Sequence, residues 1–288
     1  MSEAPMDKII ALVDGSVYAA SVCEHAAWIA GRTGAPVELL HVLGRREAPA
    51  TQDLSGSIRL GARSSLLAEL AALDEQRAKL ISHRGREILD DARALVAAQG
   101  AVEITTRLRH GDLVEAVSEV EAQARVIVIG KRGEAADFAK GHLGSNMERI
   151  VRASHKPVMV ASRAFRPIDK VLVAYDGGAS AMKAVDHIAR SPLFKGLRVE
   201  VVTVGSETAE VTKGLSDAKA MLRSAGIMAD TRVLPGQPDK ALGGYVDEAG
   251  FGMLVMGAYG HSRIRSLIIG STTTEMVRSC KVPVVLMR

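Results

Sequence analysis

An internal repeat limits the folds open to this chain more than any other feature. Residues 7–14 (DKIIALVD) recur as residues 169–176 (DKVLVAYD), 162 residues later. A second landmark, Gly130, matches Gly257 at an offset of only 127 residues, so the first copy carries 35 more residues between the two landmarks. The repeat therefore predicts two unequal copies of one fold in tandem.

Each copy alternates short β-branched runs with longer helical patterns, which is typical of βαβ units and a parallel sheet. We predict an α/β protein with two Rossmann-like domains, at residues 1–163 and 169–288, each a five-stranded parallel sheet with helices on both faces. The predicted strands lie near residues 8–13, 36–42, 102–108, 125–130 and 157–161, and near 170–175, 199–204, 230–234, 253–257 and 283–287.

The extra residues of the first copy lie after its second strand, at about 47–98. Apolar residues recur there at mostly three-, four- and seven-residue spacings, which predicts a long amphipathic helix. Two interpretations stay open: an extended helix packed on its own domain, or a docking surface for a partner or a second subunit. The residues that carry the pattern are Leu66, Leu70, Leu73, Leu80, Ile88 and Leu95.

Composition excludes several classes of protein. Two cysteines rule out a disulfide scaffold, while a net charge of +4 and 3% aromatic residues argue against a nucleic-acid partner. The apolar runs are too short to span a membrane, and residues 1–8 lack the features of a secretion signal. We therefore expect a cytoplasmic protein without a nucleic-acid or membrane partner.

The fourth strand of the second copy runs into a glycine loop with the pattern G-x2-G-x9-G-[ST]. Its members are Gly257, Gly260, Gly270 and Ser271, and Thr272 follows where a helix is predicted. Glycines let the backbone approach a ligand closely, and the N–H groups at a helix start attract phosphate. The loop therefore predicts a phosphate site, although a tight strand-to-helix connection has the same glycine pattern.

Asp176 ends the first strand of the second copy, at the edge of the sheet where ligands bind in open α/β folds. Its carboxylate could accept hydrogen bonds from a ribose or an adenine amino group, help to hold a metal, or cap the next helix. Arg263 and Arg265 within the loop could reach phosphate or lie in solvent. His261 within the same loop could contact phosphate, but a solvated or capping residue is the more common role of such a histidine.

Together these residues resemble the universal stress protein family, in its ATP-binding branch, over the whole chain. The resemblance implies ATP or another adenine nucleotide as ligand, with or without Mg²⁺. It also implies antiparallel pairing of residues 157–161 with 283–287. The resemblance further implies that the adenosine is held by Asp176 and Val204. It implies that ribose and phosphates contact Met256, Gly257 and Gly260, and that the phosphate tail is bound by Gly270, Ser271 and Thr272.

The first copy departs from this pattern, because ten residues rather than nine separate Gly133 from Gly144. Glu134 and Asp137 also place negative charge where phosphate would lie. We therefore expect nucleotide in the second domain, and in the first a weaker site, a different mode of binding, or none. The residues of this second candidate site are Asp14, Val42, Gly130, Gly133, Gly144 and Ser145.

Signatures of the best-known phosphoryl-transfer, dinucleotide, hydrolase and zinc-protease sites are missing. The sequence therefore favours a regulatory or stress-response protein that binds adenine nucleotide and acts on a protein partner that is not identified. A slow ATPase and an adaptor with empty glycine loops are the alternatives. A homodimer is also compatible with the sequence.

Overall fold

The computed structural model describes residues 7–44, 63–101, 103–134, 144–258 and 271–288. These residues form ten strands and eight α-helices, which alternate along the chain as predicted. The strands are β1 (Lys8–Leu12), β2 (Val37–Leu43), β3 (Ile104–His110), β4 (Ala124–Gly130), β5 (Val158–Ala161), β6 (Lys170–Ala174), β7 (Arg198–Val204), β8 (Met228–Leu234), β9 (Met253–Gly257) and β10 (Val284–Met287). The helices are α1 (Ala19–Thr33), α2 (Arg63–Ala98), α3 (Leu113–Val120), α4 (Ser145–Ala153), α5 (Ala179–Arg190), α6 (Ala209–Ser224), α7 (Pro238–Glu248) and α8 (Ser271–Ser279).

All ten strands belong to one sheet, in the order β3-β2-β1-β4-β5-β10-β9-β6-β7-β8. Within each half the strands are parallel, so the predicted α/β fold is confirmed. The halves join where β10 pairs antiparallel with β5, with Val285 opposite Met159. This is the pairing that the resemblance implies.

The core has two layers, one on each face of the sheet, and each layer runs through both domains. One layer lies under α1, α2, α5 and α6, and the other under α3, α4, α7 and α8. Because strands at the centre of such a sheet are covered on both faces, they are apolar throughout, as in β5 and β10.

Two reciprocal hydrogen bonds cross the boundary between the halves. Lys131, which follows β4, donates to the carbonyl of Cys280 after α8, and Arg288 donates to the carbonyl of Arg152 in α4 at 3.0 Å. Each cation thus satisfies a carbonyl at the C-terminal end of the other domain's last helix. Burial lowers the pKa of Lys131.

The insert forms α2, a helix of 36 residues. Leu89, Ala92 and Val96 of α2 are buried in the core, and Ile88 of the predicted apolar stripe packs against it, whereas Leu66, Leu73, Leu80 and Leu95 of that stripe are exposed. Residues 47–62 of the predicted insert lie outside the described part of the chain, and residues 63–98 form a helix whose C-terminal third packs on the core.

Candidate functional site

The candidate sites lie at the carboxyl ends of β1 and β4, and again of β6 and β9. In each half the chain builds the sheet outward from its first strand to the second and third, then crosses back to place the fourth on the other side. This reversal leaves a crevice beyond the strand ends, where open α/β sheets bind ligands. The duplication therefore gives the molecule two crevices of related construction.

The first crevice contains a cavity of about 560 Å³. Loops after β1, β4 and β3 form its walls, and the start of α4 closes one side. All six residues of the weaker candidate site line it, namely Asp14, Val42, Gly130, Gly133, Gly144 and Ser145. The structure thus brings together residues that are more than one hundred positions apart in the sequence.

Asp14 links two walls of this cavity. One carboxylate oxygen accepts a hydrogen bond from the Ser16 N–H at 3.0 Å, and the other accepts one from the Glu134 N–H at 3.2 Å. In the second domain, Asp176 accepts a hydrogen bond from the Gly178 N–H at 2.8 Å. The N-cap residue of α5 is Gly178 and the helix has no side-chain cap, so Asp176 is not the helix N-cap that the sequence left open.

A second duplicated hydrogen bond fixes the strand ends behind these aspartates. The ring of His41 donates from Nδ1 to the carbonyl of Val13 at 2.8 Å, and the hydroxyl of Thr203 donates to the carbonyl of Tyr175 at 2.8 Å. The two donors occupy equivalent positions of the repeat, as do the two acceptors. Different side chains therefore hold the same backbone geometry in the two domains.

The glycines that end β4 and β9 are required by close packing. A Cβ atom on Gly130 would lie 2.7 Å from the Cβ of Tyr18, and one on Gly257 would lie 2.9 Å from the Cβ of Ser180. Tyr18 and Ser180 are again equivalent positions of the repeat. These glycines therefore have a structural role at the strand-to-loop connection whether or not a ligand binds.

The two described ends of the connection between β4 and α4 lie close together. The Gly144 N–H donates to the carbonyl of Lys131 at 3.1 Å, and a Cβ atom on Gly144 would lie 3.2 Å from that oxygen. At Gly133, a Cβ atom would lie 3.0 Å from a carboxylate oxygen of Asp14. The spacing of these glycines thus brings the loop, the β1 end and the start of α4 to one point.

The long insert contacts the wall of the first cavity. Arg84 of α2 forms an ion pair with Glu134 of the cavity wall. A Cβ atom on Gly15 would meet the Glu134 carboxylate at 2.8 Å, so this carboxylate lies over the loop that follows β1. Glu134 was predicted to disfavour phosphate, and the contribution of Arg84 has no signal in the sequence because the two residues are 50 positions apart.

A second ion pair lies at the opposite wall. Arg149 of α4 donates to Asp112 at 2.7 Å, and this hydrogen bond lowers the pKa of Asp112. Asp112 also accepts hydrogen bonds from the N–H groups of Val114 and Glu115, which makes it the N-cap of α3. The first cavity therefore has charges of both signs on its walls.

In the second domain, Val204 and Gly257 end their strands, and Ser271 and Thr272 begin α8. The Met256 side chain packs in the core. Thr273, which sequence reasoning passed over, is buried and lies 3.5 Å from the carbonyl oxygens at the end of β9. Several predicted residues lie outside the described part of the chain: Asp137, Gly260, His261, Arg263, Arg265 and Gly270.

The described residues contain no group of three or more His, Cys, Asp or Glu side chains that could hold a metal ion. Within the same residues, none of the helices combines the length and apolarity needed to cross a bilayer.

Comparisons with known proteins identify relatives of both halves. A family model described as "Universal stress protein family" matches residues 6–162 and 167–288. The universal stress protein Slr1230 of Synechocystis sp. is 37% identical over 287 residues, which covers 98% of this chain and all of that protein. The crystal structure of a universal stress protein from Archaeoglobus fulgidus DSM 4304 superimposes with a TM-score of 0.72 at 20% identity, over 99% of both chains.

Proposed function

The chain belongs to the universal stress protein family, and from this premise we propose that it is a regulatory protein that binds adenine nucleotide, mainly in its second domain. ATP, ADP or AMP would occupy the crevice beyond β6 and β9. The observation that carries the proposal is the duplicated placement of an aspartate and a close-packed glycine, Asp14 with Gly130 and Asp176 with Gly257, at the ends of neighbouring strands.

This placement suits the adenosine part of a nucleotide. A carboxylate at the end of the first strand can accept hydrogen bonds from ribose hydroxyl groups or an adenine amino group. The backbone at Val204, the last residue of β7, lies on the adjacent strand end and could complete the contact. Ser271 and Thr272 stand in the first turn of α8, where N–H groups and the helix dipole favour phosphate.

The difference between the two glycine loops supports the second domain as the main site. Glu134 places a carboxylate on the wall of the first cavity, and the equivalent position of the second copy is His261. A carboxylate repels phosphate at short range, whereas an imidazole can donate to it. Mg²⁺ would be carried mainly by the phosphates, because the described residues offer no ready-made metal cluster.

Isothermal titration of ATP, ADP and AMP tests the proposal, with Asp176→Asn and Asp14→Asn as a matched pair. Asparagine keeps the side-chain oxygen that accepts from the loop N–H but loses the charge. Because hydrogen bonds to a charged group contribute about 1.5–3 kcal/mol, we expect Asp176→Asn to weaken the main site about 10- to 100-fold. Asp14→Asn should leave that site unchanged.

Mass spectrometry of ligand released from freshly purified protein gives a second readout. No bound nucleotide, together with no heat and no thermal shift on adding ATP, would remove the proposal, since a ligand of the native state must stabilise it. Binding that is lost in Asp14→Asn rather than Asp176→Asn would reverse the assignment of domains. ADP formed beyond one equivalent would favour the slow ATPase.

A further inference from the structure

The first half of α2 stands apart from the domain that carries it. Of the residues from 66 to 84 whose side chains the structure describes, none is buried. The helix meets the domain at Gly85, where a Cβ atom would lie 2.9 Å from the side chain of Leu108. The core contacts of Leu89, Ala92 and Val96 follow, so the described contacts of the helix with its domain begin at Arg84, which pairs with Glu134.

A row of exposed leucines runs along this first half, and we call Leu66, Leu73 and Leu80 the leucine row. Their exposed fractions are 40%, 60% and 71%. The seven-residue spacing puts all three on one side of the helix, as at one of the two apolar heptad positions by which paired helices pack along a shared seam. The row ends at Glu87, the next position of the spacing.

Such a segment gains little stability by itself. Nineteen residues of helix are about 28 Å long at 1.5 Å per residue, and helices of this length are marginal in water without tertiary packing. Exposed leucines aligned on one side are also unusual unless another surface covers them. The first half of α2 therefore has the properties of one partner in a helix pair.

Charge identifies the partner. Acidic side chains come first along this segment, at Glu69, Asp74 and Glu75, and basic side chains follow. Two copies of the helix side by side in antiparallel orientation would place each acidic half beside the other's basic half, whereas a parallel pair would place like charges together. The basic residues are Arg77 and Lys79; Arg84, further along the helix, pairs with Glu134 of the domain.

We propose that the leucine row is a dimer interface, in which α2 of a second copy of this chain packs antiparallel against it around a two-fold axis. A two-fold axis uses the same surface twice, which a helix with complementary ends satisfies. None of the three leucines lines the first cavity, and the row is separate from the β5–β10 contact between the domains.

Sedimentation equilibrium on the full chain tests the interface. We expect the wild type to reach twice its chain mass of 30.5 kDa as its concentration rises. Leu73→Glu combined with Leu80→Glu should return it to the chain mass, because charge would then lie within the seam. Leu95→Glu is the matched control, since Leu95 is 42% exposed on the same helix but lies outside the row; this variant should dimerise as the wild type does.

Charge reversal tests the antiparallel orientation. Glu69→Lys with Glu75→Lys should weaken the dimer, and so should Arg77→Glu with Lys79→Glu, since each change places like charges beside each other. All four substitutions together restore complementary halves and should restore the dimer. The combined variant also keeps an opposite-charge pair in place of Glu75 and Lys79, whose charged groups lie 2.6 Å apart.

Three outcomes would overturn the proposal. A wild type that stays at its chain mass at all concentrations would show that something other than a second copy covers the row. A dimer that persists in the Leu73→Glu, Leu80→Glu variant would place the interface elsewhere. A four-substitution variant that stays monomeric while its circular dichroism matches the wild type would rule out the antiparallel pairing.

Discussion

His25 should make the stability of the protein depend on pH. It lies in α1, is 0% exposed, and its ring packs edge-on against Phe165 in the segment between the two domains, with 5.1 Å between ring centres. Nδ1 donates to the Ser21 carbonyl at 2.6 Å, and Nε2 has no hydrogen-bond partner among the described residues. Protonation would place a charged N–H group in the core, so burial lowers the pKa of His25 to about 4.

The sign and size of the effect follow from this pKa. Above pH 6.5 the imidazole is neutral in both the folded and the unfolded chain, and its contribution does not change. As the pH falls below 6.5, the unfolded chain binds a proton that the folded chain excludes, so the free energy of unfolding decreases until the folded pKa is passed. The shift corresponds to about 3 kcal/mol in total, of which about 2 kcal/mol is lost by pH 5.

Urea unfolding of the wild type and His25→Phe at about pH 7.5 and about pH 5 measures this loss. Phenylalanine keeps a ring in the same space and removes both the titrating group and the unsatisfied nitrogen, so the variant should stay within about 1 kcal/mol of the wild type at the higher pH. At the lower pH the variant should be the more stable by about 2 kcal/mol.

Other titrating groups are present in both the wild type and His25→Phe. His187 is one of them, and burial also lowers its pKa. Any effect of His187 cancels when the two proteins are compared at each pH. If the wild type and His25→Phe lost the same free energy between the two pH values, the assignment of this dependence to His25 would be refuted.

Two further predictions concern the crevices. Gly257→Ala should cost about 1–3 kcal/mol of unfolding free energy, because its Cβ would meet that of Ser180 at 2.9 Å; Ser180→Gly in the same chain should recover part of this loss in urea unfolding, and full additivity would contradict the clash. Arg84→Gln should change stability by less than about 1 kcal/mol, since its pair with Glu134 is exposed. In a chain that also carries Asp176→Asn, Arg84→Gln should weaken any nucleotide binding to the first cavity, measured by calorimetry. An unchanged affinity would show that Arg84 does not compensate the negative charge of Glu134.

The repeat explains how much of the fold could be predicted. Two copies of the same strand and helix pattern lead to the same parallel order in each half, and the observed strands differ from the predicted ones by only a few residues. The face of α2 that packs could not be predicted in this way. Leu66, Leu73 and Leu80 have the stronger apolar spacing, but Leu89, Ala92 and Val96 lie where the helix passes over the sheet.

The candidate site shows the same limit. Asp14 follows β1 and Gly130 ends the neighbouring strand β4, so their approach could be inferred from strand order alone. Tyr18, at the start of α1, lines the first cavity, and Arg84 of α2 pairs with Glu134 on its wall, so both contacts depend on how these helices pack. Their contacts are set by the angle at which each helix crosses the sheet, and a one-dimensional pattern carries no information on that angle.

The antiparallel contact between the halves has a consequence for folding during synthesis. Val160 of β5 pairs with Val284 of β10, 124 residues further along the chain. On a ribosome, the first domain can complete its own hydrogen bonds before β10 has been synthesised. Until then one side of β5, which is apolar in all four residues, is unpaired. During that interval β5 is an open sheet edge of the kind that recruits strands from other chains. Nascent chains crowded on one messenger RNA would be most exposed to this error, and slow translation of the second domain would lengthen the period of risk.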